Sequence, residues 1–301
     1  MPKPSPIALA LHGGAGARRG RDYAEAERFL LDLCADGERR LDRGETSVDV
    51  VEAMVAALEE CGFFVAGRGS APNRAGYVEL DASIMRGALP GEGGGARAAG
   101  AVAAIAHLKN PIRAARAVMD RTPHVMLVGR GAESFCRQEG LEFVDDPQAY
   151  YRTPVGVTRE EMLEDELRHG TVGAVALDRE GRISAATSTG GVFGKLEGRV
   201  GDTPLIGAGT WADEFVGASC TGLGEFFILA GGAQDVASRV RYQGATLDQA
   251  AEALIRDVAR QGGNGGVIAV SRTGDIAFAW NSDGMKRAGV GPDTPLFAAT
   301  F

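Results

Sequence analysis

Strand signals in this chain arrive in adjacent pairs, and that pairing constrains its architecture more than any other feature. Thr171 to Leu177 is apolar and β-branched, Asp178 to Gly181 makes a turn, and Ile183 to Thr187 resumes as a strand. Gly266 to Val270 and Ile276 to Trp280 repeat the pattern around a turn at Arg272 to Asp275. Runs joined this closely pair antiparallel, because a parallel return needs a crossover of about a dozen residues. Helical segments fall between the clusters instead of alternating with single strands. This order disfavours a βαβ sheet and suits an α+β protein: two antiparallel sheets packed together and covered by helix layers.

The apolar run Ile7 to Leu11 is a short buried-strand candidate leading into a turn at His12-Gly13-Gly14-Ala15-Gly16. Thr46 or Ser47 caps a helix whose Val48, Val51, Met54, Val55 and Leu58 recur at helical spacing, with Glu52 and Glu59 on its other faces. Asn110, as N-cap, and Pro111 open a helix through Met119, and Val125 to Val128 follows as a strand. Thr246 and Gln249 form a capping-box pair ahead of a helix carrying Ala250, Leu254 and Val258. Between Asp145 and His169 the pattern fails: Pro147, Pro154 and the acidic run from Glu160 to Glu166 offer little apolar surface. A flexible connector is expected over about 145–170, ending abruptly at Gly170-Thr171.

Composition narrows the function. With 301 residues and 45% hydrophobic content the chain can bury one large core. A formal charge of −8 without a basic stripe points away from nucleic acid. No apolar run approaches the ~20 residues that span a bilayer, and Met1 to Pro6 has no basic region feeding an apolar segment, so a cytoplasmic protein is expected. Cys34, Cys61, Cys136 and Cys220 are scattered like reduced core cysteines. The 44 glycines are clumped without a period, at Gly13-Gly14, Gly93 to Gly95, Gly190-Gly191 and Gly262 to Gly266, which marks tight backbone around a site. The clump after the first strand lacks both G-x-G-x-x-G spacing and a P-loop lysine, so it is a weak phosphate cradle. A small-molecule or dipeptide substrate is the expected partner.

His169-Gly170-Thr171-Val172-Gly173-Ala174-Val175 resembles the cleavage site of the plant-type asparaginase and isoaspartyl peptidase family. Further matches follow in order at Ala186-Thr187-Ser188-Thr189-Gly190-Gly191, Gly198-Arg199-Val200-Gly201-Asp202-Thr203-Pro204 and Thr221-Gly222-Leu223-Gly224-Glu225. The His12 to Gly16 turn and Glu79 to Met85 resemble motifs of the front half, so the likeness covers nearly the whole chain. It implies one domain over 1–301, the four-layer αββα sandwich of N-terminal nucleophile hydrolases, cut into an α chain 1–170 and a β chain 171–301. The implied reactions are hydrolysis of L-asparagine and cleavage of β-aspartyl dipeptides, by a dimer of αβ units.

The chemistry of Thr171 can be argued independently. Its hydroxyl is a poor nucleophile until a base takes the proton, and a free α-amine with a pKa near ~8 is a suitable base within reach. An amide nitrogen cannot serve, so the Gly170–Thr171 bond has to break first, by attack of Thr171 Oγ on the Gly170 carbonyl, an N-to-O acyl shift and ester hydrolysis. The resemblance implies that Thr189 bonds the nucleophile, that Thr221 and the Gly222 N–H form the oxyanion hole, and that Arg199, Asp202 and Gly224 join Thr221 and Gly222 in binding substrate. An arginine fork suits an α-carboxylate and an aspartate suits an α-ammonium. No cofactor is implied for catalysis. A structural sodium ion is implied, held by the backbone carbonyls of Leu58, Glu59, Cys61, Phe64, Ala66 and Arg68, in keeping with the oxygen preference of hard cations.

Two positions depart from the family pattern. Val65 stands where relatives carry asparagine near the nucleophile's amine, and Leu223 stands where they are often polar. Valine can neither donate nor accept a hydrogen bond. Two alternatives therefore stay open beside the main reading: a glycosylasparaginase-like amidase, and a poorly processed, amino-acid-binding relative.

Overall fold

The paired runs become neighbouring strands of two sheets in a computed structural model, which describes residues 5–89, 91–92, 96–155, 157–158 and 170–301. The first part holds β1 (Ala8–Ala15), α1 (Ala24–Asp42), α2 (Ser47–Glu60), β2 (Glu79–Arg86), β3 (Ala98–Ala106), α3 (Pro111–Arg121), β4 (Met126–Val128), α4 (Gly129–Gln138) and α5 (Pro147–Tyr150). After Thr171 come β5 (Val172–Leu177), β6 (Ile183–Thr189), β7 (Thr210–Ala212), β8 (Val216–Gly222), α6 (Gly224–Ala230), α7 (Gly232–Gln243), α8 (Leu247–Arg260), β9 (Gly265–Ser271), β10 (Ile276–Trp280), β11 (Met285–Gly291) and β12 (Thr294–Ala299).

Among the described residues one sheet runs β12-β11-β1-β5-β6-β2-β3-β4 and the other β10-β9-β8-β7. Pairing is antiparallel except between β3 and β4. Alternation along β1 distributes its side chains: Leu9 and Leu11 join Leu30, Val51, Met54 and Leu58 under the helices, while Ala8 and Ala10 face the second sheet. Val175, Leu177, Ile183, Ile268 and Val270 complete that inter-sheet layer. A third core packs Val216, Ala218 and Val267 against Phe227, Leu254 and Val258 of the C-terminal helices. The protein is thus mixed α+β, and β1 lies between β5, which follows Thr171, and the late strand β11.

Both predicted hairpins are present, as β5–β6 and β9–β10. The Thr246 capping box closes with bonds of 3.1 and 3.3 Å, and Thr46 caps α2. Three expectations are corrected. The glycine turn after Leu11 is strand through Ala15, because its backbone is held by β5 on one side and β11 on the other. Glu59 does not lie on a polar face: it is fully buried, and Oε1 accepts from the Ile112 N–H at 3.0 Å while Oε2 accepts from Asn110 Nδ2 at 3.2 Å. Consequently Asn110 makes no side-chain cap, and Glu59 serves the first turn of α3 instead. In the expected connector, Asp146 caps the short α5, and residues 156 and 159–169 lie outside the described residues, as do Gly93 to Gly95.

Candidate functional site

Thr171 immediately precedes β5 in the larger sheet, and its side chain is 4% exposed. The β5–β6 register sets Val172 opposite Ser188, which brings Thr189 beside Thr171. The Thr171 hydroxyl donates to Thr189 Oγ1 at 3.2 Å, and that oxygen also accepts from the Gly191 N–H at 3.0 Å. Thr189 is therefore oriented by backbone before it meets the candidate nucleophile.

Gly14 and Val65 press on the bond ahead of Thr171. Gly14 has φ +97°, and a Cβ there would stand 2.7 Å from Gly170 Cα and 3.0 Å from its carbonyl carbon. Only glycine suits both that conformation and that approach. A Cβ on Gly170 would lie 2.7 Å from Val65 Cγ2, so an apolar methyl occupies the position next to the bond. Val65 clusters with Ala71 and Phe193.

His12 is a contributor that sequence reasoning missed. Buried completely on β1, its Nδ1 lies 3.0 Å from the Thr171 carbonyl oxygen and its Nε2 2.9 Å from Ser219 Oγ. Burial lowers its pKa to about 3, aided by the charge of Lys286 and opposed by the Thr171 bond, so the ring is neutral. A carbonyl only accepts, so Nδ1 carries the proton and Nε2 accepts from Ser219. A histidine beside glycines carries no signal of this role, because Thr171 meets it only through the pairing of β1 with β5 and Ser219 only through the stacking of the two sheets.

Thr221 and Gly222 end β8 in the smaller sheet. Thr221 Oγ1 accepts from the Ala15 N–H at 3.3 Å, which ties this end of β8 to the strand end that covers Gly170. Arg199 and Asp202 lie in the loop between β6 and β7, but they do not pair with each other. Arg199 forms a two-bond fork to Glu225 at 2.8 and 2.7 Å. Asp202 is 3% exposed, and its Oδ2 has no hydrogen-bond partner among the described residues. Burial raises the Asp202 pKa to about 7, with its own backbone N–H and Arg199 acting in the opposite direction. Gly224 backs directly on this carboxyl, since a Cβ there would meet Asp202 Oδ1 at 2.7 Å. Lys195 and Glu79 anchor the same loop, with Lys195 Nζ donating to the Glu79 carbonyl and the Gly198 N–H donating to the Glu79 carboxylate.

The carbonyl-rich turn after α2 folds back on itself. Cβ atoms on Gly67 and Gly69 would stand 2.4 Å from the Glu59 carbonyl oxygen and 1.9 Å from that of Phe64. The carbonyls of Leu58, Phe64, Ala66 and Arg68 each accept one bond, from the Cys61 thiol and the N–H groups of Ala66, Gly69 and Arg152. Among the described residues no cluster of His, Cys, Asp or Glu could hold a metal, and no helix is long and apolar enough to cross a membrane.

The family model described as asparaginase matches residues 5–294. The chain is 42% identical to the isoaspartyl peptidase of Escherichia coli (strain K12), over 95% of this chain and 94% of that protein. It is 41% identical to the plant-type L-asparaginase of Pyrococcus furiosus, over 94% and 95% of the two chains. To the isoaspartyl peptidase/L-asparaginase of Bos taurus it is 38% identical, over 93% and 92%.

Proposed function

The chain belongs to the asparaginase family, and on that premise we propose that it is an autoprocessing threonine amidohydrolase acting on L-asparagine and β-aspartyl dipeptides. The observation that carries the reading is the buried Thr171 hydroxyl bonded to Thr189 directly after a glycine packed by Gly14 and Val65. In this proposal Thr171 Oγ attacks the Gly170 carbonyl, the acyl group passes from nitrogen to oxygen, and water releases an α chain 1–170 from a β chain 171–301. Both chains contribute strands to the larger sheet, which keeps them together after cleavage. The overall arrangement is then the four-layer αββα sandwich of N-terminal nucleophile hydrolases, over a single domain, in a cytoplasmic enzyme.

The freed Thr171 amine takes the hydroxyl proton, Thr189 holds the nucleophile in line, and Thr221 Oγ1 with the Gly222 N–H stabilises the oxyanion. Each such donor is worth about 3 kcal/mol of barrier. Asp202 supplies the strongest case for a zwitterionic substrate. A desolvated carboxylate with an orphan oxygen gains a charge-assisted bond from an incoming α-ammonium, while Arg199 exchanges or shares Glu225 with an α-carboxylate. No group on this path calls for a catalytic cofactor. A structural sodium ion suits the turn after α2, where the carbonyls of Leu58, Glu59, Cys61, Phe64, Ala66 and Arg68 would hold it and neutralise their crowded dipoles. Pairing of αβ units into a dimer is the proposed assembly, and Leu229 and Tyr242, 75% and 74% exposed, are apolar surface available to it.

The test is a denaturing gel with mass measurement of the new amino terminus. Wild type is expected as two chains beginning at Met1 and Thr171, and Thr171→Ala as one intact chain. A second reading, a poorly processed amino-acid-binding relative, is favoured by the methyl of Val65 against Gly170. Wild type that stays whole after long incubation yet binds aspartate decides for it.

A further inference from the structure

The wall of a cavity beside Gly170 includes Tyr23, Phe64, Val65, Gly170, Phe193 and Lys286, and neither Arg199 nor Asp202 reaches it. Lys286 is placed there by β11, whose Met285 pairs with Ala15 so that Lys286 faces the irregular stretch of β1 between His12 and Ala15. The Lys286 side chain is 9% exposed, and its ammonium lies 5.2 Å from the centroid of the Tyr23 ring. Burial alone lowers its pKa to about 8; among the described residues no carboxylate offsets that shift. A cation desolvated in this way, with no carboxylate beside it among the described residues, is stabilised by any anion that enters the cavity. Arg18 and Arg21 also border it, though each has other interactions, and they add to the positive potential.

Chemistry decides which anion belongs there. In the amidohydrolase reading the Thr171 amine first accepts a proton and then delivers it to the departing nitrogen. The departing nitrogen must therefore lie next to the Thr171 nitrogen, on the side where Gly170 is attached before cleavage. Whatever that nitrogen carries extends into the cavity beside Gly170, away from the Asp202 end. Asparagine releases ammonia, which reaches neither Lys286 nor Phe193. A β-aspartyl dipeptide releases a second amino acid, with an α-carboxylate and a side chain.

We propose that Lys286, Val65 and Phe193 form a leaving-group subsite that takes the α-carboxylate and the apolar side chain of the second residue of a β-aspartyl dipeptide. The proposal rests on the amidohydrolase reading and deepens it: Val65 becomes part of an apolar wall, and the chain favours dipeptides with aliphatic or aromatic second residues over asparagine. In the uncleaved chain the cavity holds about 40 Å³, too little for an amino acid, with Pro154 and Val157 beside Gly170 on its wall. The subsite therefore opens only once Gly170 is released.

The experiment compares kcat/KM for β-aspartyl-leucine, its C-terminal amide and asparagine in processed wild type, Lys286→Gln and Lys286→Arg. Wild type should prefer the free acid over the amide by about tenfold or more, the worth of one charged hydrogen bond. In Lys286→Gln that preference is lost and the dipeptide-to-asparagine ratio falls by a similar factor, mainly through KM; Lys286→Arg restores most of it. Equal use of acid and amide by wild type, or an unaltered ratio in Lys286→Gln, overturns the subsite while leaving the amidohydrolase intact. Processed wild type inactive on all three substrates overturns the reading beneath it.

Discussion

Replacing Asp202 by asparagine should make the protein more stable in alkaline solution while it loses substrate. Burial holds the Asp202 carboxyl near a pKa of about 7 in the folded chain, against an ordinary value of 3.8, and its Oδ2 has no partner among the described residues. A raised folded pKa means that the native state binds the proton more tightly than the unfolded state. The ionised carboxylate is thus a full burden above pH 7, and the burden is relieved as pH falls from 7 toward 3.8. At 1.36 kcal/mol per unit the penalty is on the order of 4 kcal/mol at pH 8 and about 2 kcal/mol at pH 5. Asparagine keeps the shape and leaves its own buried amide imperfectly bonded, at about 1–3 kcal/mol, but that loss does not vary with pH. The signature is therefore the change in the gap between variant and parent, about 2 kcal/mol in favour of asparagine between pH 5 and pH 8. Urea unfolding measures it best in the uncleaved Thr171→Ala background, where melting does not separate two chains. Processed Asp202→Asn should in parallel show a strongly raised KM for asparagine. A stability gap that stays flat across this range refutes the reasoning, because it means that Asp202 is paired in the folded chain.

Gly14→Ala should destabilise the protein by about 2 kcal/mol or more and slow or abolish the cut before Thr171, since the new methyl meets Gly170 Cα at 2.7 Å from a backbone with φ +97°. A time course on a denaturing gel reads it, and wild-type cleavage speed would remove Gly14 from the account. His12→Ala strips the Thr171 carbonyl and the Ser219 hydroxyl of their buried partner, at about 2–4 kcal/mol in urea unfolding. Because the folded pKa of His12 is lowered to about 3, its neutral form contributes stability above pH 6.5 that is lost as pH falls toward 3. The uncleaved parent should weaken over that window more than the alanine variant, and parallel pH profiles for the two would contradict the burial of a neutral ring.

The hairpins and the Thr46 and Thr246 caps were legible in the sequence because each depends on residues adjacent in the chain. A turn between two β-branched runs, or a threonine three residues before a glutamine, carries its own physical reason. The family was legible as well, through the motifs that hold Thr171, Thr189, Thr221 and Asp202. The arrangement of those motifs was decided only in the tertiary structure, by the pairing of β5 with β6 for Thr171 and Thr189 and by the stacking of the two sheets for Thr221. Glu59 reads as a polar-face residue at helical spacing, yet it turns inward because Asn110 and the first turn of α3 arrive beside it from 51 and 53 residues away. His12 meets Thr171 and Ser219, 159 and 207 residues distant, and Asp202 Oδ2 is left without a partner among the described residues while Arg199 bonds Glu225. Lys286 reaches the cavity beside Gly170 through the pairing of β11 with β1. Local chemistry fixes which groups can react, whereas the charge and hydrogen bonding of those groups depend on burial, and burial is a property of the packed whole.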